Sequence, residues 1–212
     1  MSLNNAFEAL AAFQGESLTK SLATIESEIV GATAEDMDSR RASYQVNDEL
    51  MASALSIKKV AGQINVIIHA AGIISSLESI LAPGEIVESV SLGAGNTGKK
   101  FDLETNRRIA EYKFINWQGG SESIRQNGLF KDFFELAEYE TDKEKYLYVV
   151  DTLHPLKFFR GGRALTSVLN KEPGILQRLN EKYGGDVVRV RDYFALNEDQ
   201  VNIVDVGPLI GR

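Results

Sequence analysis

The apolar residues of this chain change period at Ala82-Pro83-Gly84, and that change limits the folds open to it. Before it, Val60, Ile64, Ile67, Ile68, Ile73, Ile74, Leu77 and Ile80 recur mostly at helical spacing, which predicts one long, largely buried helix over residues 57–81, stopped by the proline and glycine. After it, Ile86-Val87-Glu88-Ser89-Val90-Ser91-Leu92 is a β-branched run of strand length, followed by a flexible turn carrying Gly93, Gly95 and Gly98. Two further strand-like runs, 99–105 and 107–117, have almost nothing between them, so the three runs together predict a β-meander. Ser121 or Ser123 can cap a helix to about residue 139 with Ile124, Leu129, Phe133, Phe134 and Leu136 inward, and 145–152 is a short buried strand. The order helix, three strands, helix, strand belongs to the α/β class.

The flanks are simpler. Phe7, Leu10, Phe13, Leu18, Leu22, Ile25 and Ile29 give an amphipathic helix over 6–29 that Gly15 breaks or bends, and 31–47 is an acidic linker or short surface helix. Beyond the last strand we expect helices over 156–169 and 174–183, a strand over 186–194, and a tail carrying glycine and proline. The expected organisation is an N-terminal helical extension, 1–50, and an α/β domain, 51–212.

With 43% hydrophobic and 25% charged residues over 212 positions, the chain can bury a real core. It contains no run of eighteen consecutive apolar residues and no signal-peptide pattern, so the expected location is the cytoplasm, with no membrane partner. It has no cysteine and only two histidines, His69 and His154, which removes thiolate chemistry and leaves oxygen as the ligand for any metal. Neither histidine has an acidic or nucleophilic partner visible in the sequence, and we assign them no role.

A net charge of -7 argues at first against a polyanionic partner. Residues 1–90 hold 5 basic and 12 acidic side chains, however, whereas 91–212 hold 18 of each. Within 153–191, Lys157, Arg160, Arg163, Lys171, Arg178, Lys182, Arg189 and Arg191 face only Glu172, Glu181 and Asp186. Such a basic segment is either a solvated surface or a phosphate track.

Glu111-Tyr112-Lys113 is the only place where an acidic residue stands two positions before a lysine, and it falls mid-strand, where side chains two apart share a face. If the turn to the preceding strand is Asn106-Arg107, Asp102 lies directly opposite Glu111; if it is Thr105-Asn106, Asp102 lies on the diagonal. Either register clusters two carboxylates and a lysine. A cation bridging the acids would offset the cost of that charge cluster, whereas the structural alternative is a cross-strand salt bridge.

Asp102 followed by Glu111-Tyr112-Lys113, within that order of elements, resembles the PD-(D/E)xK nuclease superfamily over residues 57–152. Phe101 replaces the proline that often precedes the family's aspartate. The resemblance implies a restriction-endonuclease-like fold, with a central mixed sheet flanked by helices. It implies a phosphodiester hydrolase acting on nucleic acid, DNA in the first instance, in which Asp102, Glu111 and the Tyr112 carbonyl hold Mg²⁺ or Mn²⁺. Lys113 would orient the attacking water or stabilise the developing negative charge. Glu78 corresponds to a helix acid that some members add to the metal site, and Gln126 to the glutamine of the exonuclease-like branch.

Glu85, Glu88 and Glu104 are alternate acids, and Trp117-Gln118-Gly119-Gly120 could stack on a base. Two other functions compete with cleavage. One is a catalytically inactive nucleic-acid-binding protein of the same fold, helped by Arg160-Gly161-Gly162-Arg163; the other is an assembly protein, for instance a homodimer through the acidic N-terminal helices.

Overall fold

The computed structural model describes residues 2–93, 98–114, 117 and 122–211. Gly95, Ile115, Gln118, Gly119, Gly120 and Ser121, on which several sequence expectations fall, lie outside the described residues. The chain divides into two units, Met1–Asn65 and Val66–Arg212.

The first unit is helical. Ser2 caps α1 (Leu3–Gln14), Gly15 ends it at φ +57°, and Ser17 caps α2 (Leu18–Ile29), so the expected break at Gly15 is present. The stretch expected to be a linker or short helix forms α3 (Ala34–Ser43), started by a reciprocal Thr33 and Asp36 capping box. Next comes α4 (Asp48–Ile80), with Asn47 Oδ1 accepting from the Leu50 amide at 2.8 Å. Residue 50, where the boundary was expected, lies in the first turn of α4, and the division into two units falls further along that helix. By length and a mean hydropathy of 1.5, α4 could also cross a membrane. Its second half packs Ile73, Leu77 and Ile80 into an apolar cluster with the sheet.

The second unit continues through β1 (Val87–Val90), β2 (Leu103–Thr105), β3 (Arg108–Lys113), α5 (Ser123–Ala137), β4 (Glu144–Val149), α6 (Leu153–Phe159), α7 (Leu165–Val168), α8 (Pro173–Tyr183), α9 (Val190–Asn197) and β5 (Asn202–Asp205), ending in a 3₁₀ turn over Gly207–Ile210. The fold is mixed α/β. Among the described residues five strands form one sheet in the order β1-β2-β3-β4-β5; β1, β2 and β3 form an antiparallel meander, and β4 and β5 add in parallel beside β3. A parallel return needs a crossover, and α5 supplies it between β3 and β4.

Alternation along β3 divides the core in two. Ile109 joins Leu147, Val149, Phe130, Phe133 and Phe134 on the α5 face; Ala110 and Tyr112 join Leu103, Tyr148 and Ile73 on the α4 face. Helix and sheet approach closely at Gly72, where a Cβ would stand 2.5 Å from the Phe114 ring.

A polar pin fixes the entry to the meander. The Arg108 guanidinium donates to both oxygens of the fully buried Glu85 carboxylate at 2.5 and 2.6 Å, and Thr105 Oγ1 donates to Oε1 at 2.6 Å. The Ala82 amide also donates to Glu85 Oε2, at 2.9 Å. Burial opposes ionisation of Glu85, yet these donors hold its carboxyl down at about 2.

Several expectations are corrected. The long helix is not largely buried: Leu55, Ile64, Ile67 and Ile74 are exposed, because only the stripe through Ile73 and Ser76 meets the sheet. Ser123 is the first residue of α5 rather than its cap, which is Glu122. The helix expected over 156–169 is two helices, α6 and α7, separated by the Gly161-Gly162 turn. The strand expected over 186–194 is mostly α9: Asp192 accepts from the Val188 and Arg189 amides and starts a helix there. The tail supplies β5, which pairs with β4.

Candidate active site

The β2–β3 hairpin pairs Leu103 with Ala110 and Glu104 with Ile109, so Asn106-Arg107 is the turn. Carried one residue further, this register sets Asp102, in the bend just before β2, opposite Glu111. Asp102 Oδ2 accepts from the Tyr112 backbone amide at 3.0 Å, and Oδ1 lies 3.2 Å from Nε2 of His69 on α4. Glu111 stands beside Asp102 and is within range of its negative charge. Lys113, next on the same face of β3, forms an ion pair with Asp132 of α5. Two layers and the sheet therefore converge on one end of β3.

The electrostatics follow from three carboxyls around one lysine. Burial, then the negative charges of Asp132 and Asp102, push the Glu111 carboxyl up to about 9, and Lys113 offsets them only in part. For Asp102 burial works the other way from its partners; His69, the Tyr112 amide and Lys113 together hold it below the ordinary carboxylate range. Asp132 is pushed up by burial despite Lys113, while Lys113 is held up by Asp132, Glu111 and Asp102 despite burial. The cluster titrates as a unit. With one ammonium among three carboxyls, Lys113 stays charged, and Glu111 and Asp132 both hold a proton more tightly than an ordinary carboxyl does.

The other expected positions fall elsewhere. Tyr112 contributes its amide to Asp102, but its ring turns to the opposite face and stacks on Phe114 with centroids 5.3 Å apart. Glu78 is exposed on α4, and among the described residues no hydrogen bond or ion pair joins it to the cluster. Gln126 accepts from Arg163 and lines a cavity with Trp117, apart from the carboxyls. The alternates are engaged in other work: Glu85 in the pin with Arg108, and Glu88 and Glu104 both with Lys143, at 2.6 and 2.8 Å.

Two members of the cluster escaped the sequence. His69 does have an acidic partner, Asp102, and His154 packs against Trp117 with ring centroids 5.9 Å apart. The signal for His69 was its place three and four residues before Gly72 and Ile73, on the stripe of α4 that meets the sheet. Asp132 stands three residues after Leu129 and four before Leu136, a lone acid on the buried stripe of α5.

The residues were tested against the metal that the resemblance implies. Among the described residues no group of three or more His, Asp or Glu side chains is arranged to hold a metal ion. One feature still suits a hard cation: Asp102 and Glu111 form an all-oxygen pair carrying a proton a cation could displace. No protein-family model, curated protein or solved structure matches the chain.

Proposed function

We propose that the chain is a metal-dependent phosphodiester hydrolase of the PD-(D/E)xK type acting on nucleic acid, with Asp102, Glu111 and Lys113 as its centre. The observation that carries this reading is the excess of buried carboxyls over cations at the end of β3, which pushes Glu111 to about 9. A simple salt bridge would need one carboxylate for the lysine, and each further buried charge left uncompensated is costly. The order of elements gives further support: a helix, an antiparallel meander, a crossover helix and a parallel strand place the aspartate and the Glu111-Tyr112-Lys113 strand side by side.

Asp102 and Glu111 would hold Mg²⁺ or Mn²⁺, with the Tyr112 carbonyl as a further donor. The metal, when bound, supplies a Lewis acid that lowers the pKa of water and offsets charge on the phosphoryl oxygens. Lys113 keeps its proton and stabilises the negative charge that develops beside it, and Asp132 holds the lysine in place. His69 and the Tyr112 amide fix the orientation of Asp102.

Calorimetric titration of Mn²⁺ into the wild-type protein and Asp102→Asn tests the metal site. Binding in the wild type that is lost in the variant is expected; equal heats from both would remove Asp102 from the metal site. A second reading, a nucleic-acid-binding protein of the same fold without catalysis, is favoured by one observation: Lys113 and Asp102 are each already engaged, by Asp132 and His69.

A further inference from the structure

A cavity of about 340 Å³ opens between α5, α6 and the Gly161-Gly162 turn, lined by Trp117, Gln126, His154, Lys157, Phe158 and Arg163. Its wall is aromatic: the Trp117 ring lies 5.9 Å from His154 and 6.1 Å from Phe158, centroid to centroid. The indole Nε1 of Trp117 is buried and has no hydrogen-bond partner among the described residues, a donor beside the cavity. Its rim is cationic, and no carboxylate occurs among the described residues that line it. Arg163 is held by Gln126 and Ser167, and Lys157 is exposed. Arg189 reaches the same turn from a distant part of the chain, donating to the Gly162 carbonyl at 2.7 Å. A Cβ at Gly161 would stand 2.9 Å from the Phe158 carbonyl oxygen, so the turn is tightly built.

We propose that this cavity is a nucleotide subsite: one unpaired base packs on the Trp117, His154 and Phe158 wall, and its phosphate lies against Lys157 and Arg163. An aromatic wall beside paired cations matches the two parts of a nucleotide, a π-face and an anion. The volume is at the small end of ligand cavities, which run from roughly 300 Å³ upward, so it takes a single nucleotide and not a duplex. Trp117 also lines a second, apolar cavity of about 210 Å³ whose lining includes Lys113, so this one ring stands between the subsite and the lysine of the cluster. The choice of ligand rests on the nuclease reading and narrows it: the substrate strand is unpaired next to the bond that is cut.

Trp117 is the only tryptophan in the chain, so its emission reports on the cavity directly. The full-length protein is titrated with a short 5′-phosphorylated oligothymidylate in EDTA, alongside inorganic phosphate, and affinity is measured over a range of salt. The expected result is a saturable change in emission with the oligonucleotide and none with phosphate. Lys157→Ala, an exposed position that leaves the core untouched, should weaken binding roughly three- to tenfold and lower the salt slope by about one. Lys113→Ala should lose metal-dependent cleavage while the saturable change in Trp117 emission persists. A wild-type protein that cleaves, yet shows neither the emission change nor sensitivity to Lys157→Ala, overturns the subsite and leaves the nuclease standing. Phosphate alone reproducing the change would also overturn it. The emission change with no cleavage in Mg²⁺ would keep the subsite and remove the nuclease.

Discussion

Lys113 and Asp132 meet across the interface between β3 and α5, the lysine from the motif strand and the aspartate from the buried stripe of the helix that covers it. The pairing ties the one cation of the cluster to a helix on one side of the sheet, while Asp102 is tied to α4 on the other through His69. The positions of the motif residues therefore depend on both helical layers.

Asp132→Asn should both loosen the fold and impair the proposed chemistry. Lys113 retains 39% exposure of its side chain, so the loss should be about 1–3 kcal/mol, less than the roughly 3–5 kcal/mol of a fully buried broken pair. Urea unfolding measures it. A variant as stable as the wild type and as active with metal would show that Asp132 does not hold Lys113.

Glu111 should make stability depend on pH. Its carboxyl binds its proton more tightly in the folded protein, at about 9 against an ordinary 4.5, so its stabilising contribution is complete below 4.5 and is lost as pH rises toward 9. Glu111→Gln should flatten the decline across that window in metal-free thermal melts. Because a cation must displace the same proton, metal affinity in the wild type should rise over the same range. An unchanged slope in Glu111→Gln would assign the titration to another group.

Glu85→Ala should be among the most damaging substitutions away from the cluster. It leaves the Arg108 guanidinium buried without its partner, at a cost of about 3–5 kcal/mol, with little effect on metal binding. In the wild type the Glu85 contribution should be lost only as pH falls from 4.5 toward 2, the opposite direction from Glu111. Denaturation at pH 7 and at low pH separates the two.

Gly72→Ala places a methyl group against the Phe114 ring and should cost about 1–3 kcal/mol through overpacking between α4 and the sheet. Gly62→Ala, where a Cβ meets nothing within 4 Å, is the control and should be neutral or slightly stabilising. Thermal melts of the two distinguish close packing from helix propensity.

Much of the fold was legible because it rests on short-range pattern. The strand runs around Val87 and Glu111, the break at Gly15 and a tight hairpin at Asn106 follow from residues close in sequence, while the choice of Asn106-Arg107 over Thr105-Asn106 as the turn came from the strand pairing. The run 186–194 reads as a strand, but the Asp192 carboxylate starts a helix there, a local hydrogen bond that outweighs propensity. Strand β5 was hidden because Asn202–Asp205 is only four residues long and gains its stability from pairing with β4. The same distinction applies to the site. Asp102 and Glu111 are hairpin neighbours and could be placed from the turn alone. His69 and Asp132 arrive on helices from opposite layers, and which side chains meet there is decided by tertiary packing.

The most direct test of the proposed function is cleavage of a panel of single- and double-stranded DNA and RNA with Mg²⁺ or Mn²⁺, comparing wild type, Asp102→Asn and Lys113→Ala. Metal-dependent cleavage that falls by roughly a hundredfold or more in both variants, with folding intact, is the predicted result. Intact, metal-loaded wild-type protein that cleaves none of these substrates, or cleavage that survives both substitutions, would contradict it.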